Sequence, residues 1–582
     1  MRHVAAVAAL ASLLAACTSA PPLPAADLLL VNARVYTMTW PEPARDGTPA
    51  AEAPHDAAGW HPDAAAVAIT GGRIAAVGAR EAVEARRGPA TRVIDLGGAT
   101  LVPGLVESHG HVLELGAKLD AVDLVGVSTE AEAVARVAAA AAAVPKGQWI
   151  IGRGWDEGAW ANRYPDWRLL TERVPDHPVV LYSLHGFAIW VNRPALDAAK
   201  VTRATAAPVG GEIRKDRRGE PTGIFLNRAT TILAAAVPPP SPAQVERQLL
   251  AGLNELARSG YTAVHDAGVD RSMLDGYLAL ERRGALPIRV YVMLSARDPE
   301  LCREWEAKGP QGGAADMLIV RAVKAYYDGA LGSRGARLLA DYSDQPGHRG
   351  LSGAGYGFDQ DVVARMMRAG FQVGIHAIGD AGNRESLDFL EGVMRGDEGA
   401  RQGRHRIEHA QVVSPTDIPR FGALGIVASM EPPHAVEDKG WAEARVGAER
   451  IRGAYAWRAL RQAGARLIFN SDLTGSDHDI FYGLHSAITR QDKARQPSGG
   501  WYPEQRMTPE EAVRGYSTWA AYASFSEQEA GRIAEGQLAD LSALSLDPFT
   551  VGASDPSALL GGQVRATVVG GAVAHDTGRE RR

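Results

Sequence analysis

Two histidines separated by one glycine, His109 and His111, close the apolar run Leu101-Val-Pro-Gly-Leu-Val-Glu-Ser. In an extended strand, side chains two residues apart share a face, so two neutral imidazoles there can approach one divalent cation from the same side. Taken alone, a His-x-His pair reads equally well as two satisfied histidines on a surface loop. Lys324 ends the run Met317-Leu-Ile-Val-Arg-Ala-Val-Lys, on the strand face opposite Arg321. A charged lysine inside a core is costly. Desolvation favours its neutral amine, which can take up CO2 to give a carbamate, an anionic two-oxygen ligand able to bridge metals. The plainer alternative is an ion pair between Lys324 and Asp328. His376 in Gly374-Ile-His-Ala-Ile-Gly-Asp380, His409 in Arg406-Ile-Glu-His-Ala-Gln and Asp472 in Leu467-Ile-Phe-Asn-Ser-Asp each close a further apolar run. Singly, each reads as a core histidine satisfied by backbone or an aspartate capping the next helix. Together with His109, His111 and Lys324 they form a nitrogen-and-oxygen ligand set for one or two divalent ions, and the imidazole majority favours Zn2+. Glu107 lies on the same strand face as His109, where it could orient an imidazole or serve as a pocket carboxylate. Asp266 and Asp380 read as helix-capping or substrate-side groups.

These residues need a scaffold that brings distant strand ends together. Four times a helical stretch closes on glycine and an apolar strand follows: Leu256–Gly260 into Tyr261, Arg365–Gly370 into Phe371, Arg420–Gly425 into Ile426, and Trp457–Gly464 into Ala465. This is the rhythm of β/α units. In a β/α barrel the C-terminal strand ends share one mouth, so His265, Asp266, His376, His409 and Asp472 are expected to converge. A doubly wound open sheet is the competing fold, but no glycine-rich phosphate loop follows the first strand. At the chain ends, short strands flank Gly-Gly turns (residues 27–37 and 66–78, then 536–545 and 564–573), with a Pro/Ala-rich low-complexity loop at 41–64 between the first two. The expected architecture is α/β: a distorted (β/α)8 TIM-like barrel with an insertion over residues 105–525, and a small β-sandwich built from residues 27–104 and 526–582.

The remaining features bound the function. The chain has 582 residues, with 46% hydrophobic and 22% charged, enough to bury a large core without disulfides. A net charge of −6 and the lack of a long basic block exclude general affinity for nucleic acid. Arg2 and His3 precede the apolar stretch Val4–Ala16, too short to span a bilayer but suited to a signal peptide. It ends in Leu14-Ala-Ala-Cys17, which resembles a bacterial lipobox; a plain signal peptide with an incidental cysteine is the alternative. On the lipobox reading residues 1–17 are a lipoprotein signal, Cys17 carries the lipid, residues 18–26 form a linker, and the protein is anchored to the membrane at the periplasmic face. Cys302 is the only other cysteine, so neither an internal disulfide nor a Cys-rich zinc site is available.

As an ordered set, Pro103-Gly-Leu-Val-Glu-Ser-His-Gly-His, Gly154-Trp-Asp, Gly260-Tyr-Thr-Ala-Val-His-Asp-Ala-Gly, Lys324 with Asp328-Gly-Ala-Leu-Gly-Ser-Arg, His376-Ala-Ile-Gly-Asp, Arg406-Ile-Glu-His-Ala-Gln, Ser471-Asp and Gly536-Gln-Leu-Ala-Asp-Leu resemble the metal-dependent amidohydrolases, specifically amidohydrolase family 3 with its N-substituted formamide deformylases. The resemblance implies that His109 and His111 bind one metal and His376 and His409 a second. It also implies that carboxylated Lys324 bridges them, and that Asp472 is both ligand and general base. Two segments depart from the family pattern. His185-Gly-Phe187 stands where an Asp-Gly-His run is usual, which places His185 and Phe187, with Asp266 and Asp328, among the substrate-pocket candidates. Leu473-Thr-Gly-Ser-Asp-His478 replaces a small residue and proline beside the base. The expected activity is hydrolysis of an amide or formamide C–N bond of a small molecule. Deamination or ester and carbamate hydrolysis on the same fold are the alternatives within the enzyme class, and a non-catalytic lipid-anchored binding protein is the alternative outside it. A homodimer is a further expectation.

Overall fold

The computed structural model describes residues 24–580 apart from 157–159, 161–163, 185, 186 and 352. Cys17 and His185 therefore lie outside the described residues. Eight strands run parallel in one sheet and follow chain order: β1 Leu105–Gly110, β2 Tyr261–Val269, β3 Arg289–Ser295, β4 Leu318–Tyr326, β5 Gln372–Ala377, β6 Arg406–His409, β7 Val427–Met430 and β8 Arg466–Phe469. The ring closes past the C-terminal end of β8, where Leu473 bridges Gly110 in parallel and its carbonyl accepts the His111 N–H at 2.8 Å. This seam is narrow, so the barrel is distorted rather than regular. The strands are mostly buried on both faces because helices cover the outside and packed side chains fill the inside.

All four helix-glycine-strand junctions form. At one of them Gly425 takes a left-handed conformation (φ 69°) as the C-cap of helix Ile418–Leu424, a region that residues with a side chain rarely adopt, and β7 starts two residues later. The chain ends make two further sheets. One carries Leu28–Val31, Ala66–Thr70, Arg73–Gly78 and Arg92–Asp95; the other pairs Thr100–Pro103 antiparallel with Leu541–Leu544, then adds Val564–Val569 and Ala572–Asp576. Their facing side chains, among them Leu30, Val67, Leu101, Leu541 and Val568, form one apolar core between the sheets.

Residues 122–227 leave the barrel between β1 and β2 as a separate six-stranded sheet with apolar cores on both faces, including Trp155, Leu181 and Trp190 on one and Ile189 and Phe225 on the other. The Pro/Ala-rich segment 41–64 is the expected loop apart from a small hairpin of His55–Asp56 with Gly59–Trp60, and it is packed down on the protein. Trp40 and Trp60, at its edges, are buried; Trp40 donates its indole N–H to Glu510 at 2.8 Å, and Trp60 packs its ring 5.2 Å from Phe549. These two aromatic anchors hold the segment in place, because each buries a large apolar surface.

Candidate active site

His109 is the penultimate residue of β1 and His111 follows its end; Lys324 is near the end of β4, His376 near the end of β5, and His409 is the last residue of β6. Asp472 lies three residues beyond β8. Because the strands are parallel, all six side chains reach one end of the barrel. Asp472 Oδ1 is 3.2 Å from His111 Nε2 and 3.6 Å from His109 Nε2. Lys324 Nζ is 2.8 Å from His109 Nε2. The rings of His109 and His409 are 5.2 Å apart and those of His409 and His376 are 4.4 Å apart. Asp472 and His409 both hold positive φ, 50° and 74°, which is uncommon for residues with a side chain and clusters at functional sites.

The protonation states of His109, His376 and Asp472 match what a cation requires, while contact with Asp472 raises His111 above the usual histidine value. Burial, helped by the nearby lysine, draws His109 down to about 4, so its imidazole is neutral at physiological pH. Burial and the neighbouring His409 and Lys324 likewise hold His376 well below the usual histidine range. Burial alone would raise Asp472, yet contact with His111 and the surrounding imidazoles hold it well below the usual carboxylate range. Asp472 Oδ1 and His376 Nε2 are buried without a hydrogen-bond partner. Buried polar atoms are normally satisfied, and lone pairs left open in one cluster fit a divalent cation. His109, His111 and Asp472 offer three ligand atoms within 4.8 Å of one another, and so do His409, Glu431 and His434.

Glu408, Glu431 and His434 belong to the site and were not singled out from sequence. Glu408 Oε2 meets His109 Nδ1 at 2.5 Å. Glu431 follows β7 directly, and its Oε2 lies 3.2 Å from His409 Nδ1 and 3.6 Å from His434 Nδ1. A signal existed: Glu431-Pro-Pro-His434 closes the apolar run of β7 just as the histidines close theirs.

Two expectations are corrected, and Asp266 is narrowed to the helix-capping one of its two readings. His265 sits mid-strand in β2 rather than at its end, so it lies below the mouth, where its Nδ1 is 2.9 Å from Arg406 Nη1. Asp328 neither pairs with Lys324 nor opens to a pocket: fully buried, it accepts the backbone N–H groups of Arg337, Ile378 and Gly379 at 2.8, 2.9 and 2.9 Å. Asp266 is also fully buried, accepting the Tyr277 hydroxyl at 2.5 Å and the Val112 N–H at 3.1 Å, so it caps the helix that begins beside His111 instead of facing substrate. Glu107 turns to β8's end, where it accepts both the N–H and the hydroxyl of Ser471 at 2.9 Å, next to Asp472. Asp380 accepts the Leu339 N–H at 2.9 Å. Phe187 is 66% exposed, just before strand Ala188–Val191 of the insertion sheet.

An eight-stranded parallel barrel with imidazoles and a carboxylate gathered at its C-terminal mouth is the architecture of a barrel hydrolase. The sequence profile of the amidohydrolase family matches residues 92–575, and the chain belongs to that family, whose members are hydrolases of carbon–nitrogen bonds. It is 31% identical over 526 residues to a putative amidohydrolase, YtcJ, of Bacillus subtilis, covering 88% of this chain and 96% of that one. It is 26% identical over 581 residues to an N-substituted formamide deformylase of Arthrobacter pascens, covering 94% and 98%. A crystal structure of an uncharacterized metal-dependent hydrolase from Pyrococcus furiosus superposes with a TM-score of 0.70 at 26% identity, over 90% of this chain and 99% of that one.

Proposed function

We propose that this chain hydrolyses the C–N bond of an amide or formamide on a small molecule, with His109, His111, Lys324, His376, His409 and Asp472 holding one or two zinc ions. The observation that carries the reading is Asp472: an ionised, half-buried carboxylate whose buried Oδ1 has no hydrogen-bond partner and faces both His109 and His111. A divalent ion bound there would supply Lewis acidity and bring the ionisation of a coordinated water toward neutrality. Asp472 is placed to accept a proton from the attacking water and to return it to the leaving nitrogen. The imidazoles of His109 and His376, held neutral by burial, offer lone pairs rather than competing charge. Likeness to an N-substituted formamide deformylase supports the substrate class.

Lys324 is read as a carbamate. Burial lowers its ammonium to about 8, so a share of the amine is neutral near physiological pH. That amine forms an N–C bond with CO2 and releases one proton, giving an anionic oxygen ligand. The commitment of Asp328 to backbone N–H groups removes the competing ion pair. The Leu14-Ala-Ala-Cys17 motif supports lipid anchoring at the periplasmic face, and loss of palmitate labelling in Cys17→Ser is the expected result.

The test is a screen of N-formyl, N-acyl, amino-heterocycle, ester and carbamate compounds on zinc-loaded protein, with zinc content measured alongside. Product from N-formyl or N-acyl compounds is expected. Turnover confined to heterocycles or to esters overturns the amide reading, and protein with far less than one zinc and no turnover points to a binding protein instead.

A further inference from the structure

Beneath the cluster, the barrel interior holds a charged pair that the reaction does not itself use. Arg406 and Glu408 are two residues apart on β6, so both face inward, and neither side chain is exposed. Arg406 Nε lies 2.7 Å from Glu408 Oε1, and Nη2 donates to Oε2 at 2.9 Å. The same guanidinium donates to the Ser108 carbonyl at 2.7 Å and the Ser429 hydroxyl at 3.2 Å, and its Nη1 meets His265 Nδ1 at 2.9 Å. One side chain thus ties β6 to β1, β2 and β7. Gly374 on β5 leaves room for the carboxylate: a Cβ there would stand 2.5 Å from Glu408 Oε1 and 2.5 Å from Met293 Cε.

We propose that Arg406 and Glu408 are positioning residues that fix His109 as its Nδ1–H tautomer and aim Nε2 at the cation site shared with His111 and Asp472, so that an ion held there depends on the pair while an ion held by His376 and His409 does not. The inference rests on the metal-centre reading above. An ionised carboxylate only accepts, so Nδ1 of His109, 2.5 Å from Glu408 Oε2, carries the ring proton and Nε2 keeps its lone pair. A carboxylate behind a ligating imidazole fixes the ring and raises its basicity. Arg406 keeps Glu408 charged in a fully buried site and also grips the carbonyl of Ser108, so ring and backbone of His109 are held from one point. His409 has its own carboxylate, Glu431, 3.2 Å from its Nδ1. The two histidines are therefore oriented by different acids, and their losses are separable.

The experiment loads wild type, Glu408→Gln, Arg406→Lys and Gly374→Ala with Zn2+, dialyses them against graded chelator, and counts zinc per chain, with circular dichroism of each apo-protein reporting the fold. In Glu408→Gln one ion is expected to weaken about 10- to 100-fold while the other releases as in wild type. Gly374→Ala, which displaces the carboxylate without removing it, is expected to show the same pattern more weakly, and it decides the matter should Glu408→Gln not fold. If wild type holds a single ion, His111→Ala tells where it sits: an ion lost in His111→Ala must also weaken in Glu408→Gln, and unchanged affinity there, or an ion retained in His111→Ala, overturns the proposal. Variants that all bind zinc like wild type overturn the positioning role alone. A wild type that binds no zinc overturns the metal-centre reading and this proposal with it.

Discussion

At the scale of single residues, the chemistry depends on a carboxylate kept ionised while half-buried among imidazoles. Asp472 achieves this by standing within 3.2 Å of His111 and 3.6 Å of His109. Asp472→Asn keeps the volume but removes both the charge and the proton acceptor. Turnover is expected to fall about 10²- to 10⁴-fold even in zinc-saturated protein, as read from kcat alongside zinc content. The ligand candidates themselves were visible as polar residues closing apolar runs. The acids behind them were not: Glu408 stands inside the quoted Arg406-Ile-Glu-His segment, yet nothing in one strand says which residue of another it will touch. Asp266 and Asp328 show the converse. A carboxylate near a strand end is as readily used to hold backbone N–H groups as to meet substrate, and only burial distinguishes the two.

At the scale of elements, the helix that starts beside His111 is set by a close crossing. Val112–Asp120 packs on Pro242–Arg258 through glycines: a Cβ on Gly116 would lie 1.8 Å from the Gln248 carbonyl oxygen, and one on Gly252 would lie 2.6 Å from that of Val112. Gly116→Ala must push the helices apart. A loss of about 1–3 kcal/mol in urea unfolding is expected, with weaker zinc binding because the displaced helix carries His111 at its N-cap. A second element-level device is His405, which joins β5 to the short helix Glu398–Arg401. Its Nδ1 accepts the Val373 N–H at 3.0 Å and its Nε2–H donates to the Ala400 carbonyl at 2.7 Å. Burial draws its pKa from 6.5 down to about 4. Between those values the unfolded chain binds the proton and the folded one does not, so the contribution is complete above the unfolded pKa and is lost as the pH falls toward the folded one. It amounts to about 3 kcal/mol. His405→Gln is expected to flatten the decline in unfolding free energy between roughly pH 7 and pH 4.5; an unchanged slope would refute the assignment.

At the scale of the molecule, the barrel is tied to the sheets formed by the chain ends. Arg289 on β3 makes a two-point contact with Asp540, Nε to Oδ2 at 2.7 Å and Nη2 to Oδ1 at 3.0 Å, and Asp540 also accepts the Gly570 N–H at 2.7 Å. Both side chains are only 8% exposed. Asp540→Ala leaves a buried guanidinium without its counter-charge, and thermal or urea unfolding is expected to show a loss of about 3–5 kcal/mol. Substituting both residues with apolar ones should recover much of it, since a matched apolar pair replaces a buried ion pair at little cost.

The residue order by itself determined the α/β class, the strand-end position of the six ligand candidates and the pairing of the two chain ends, because hydrophobic periodicity and glycine at helix ends act locally. The chain pattern could not say that Trp40 and Trp60 anchor a Pro/Ala-rich segment, or that residues 122–227 form a sheet of their own beside the barrel. Nor could it say that His265 stops below the mouth, or that Glu408 and Glu431 stand behind different histidines. Those outcomes are contacts between residues far apart in the chain. Each is decided by which surfaces are left to be buried once the strands have closed into a ring.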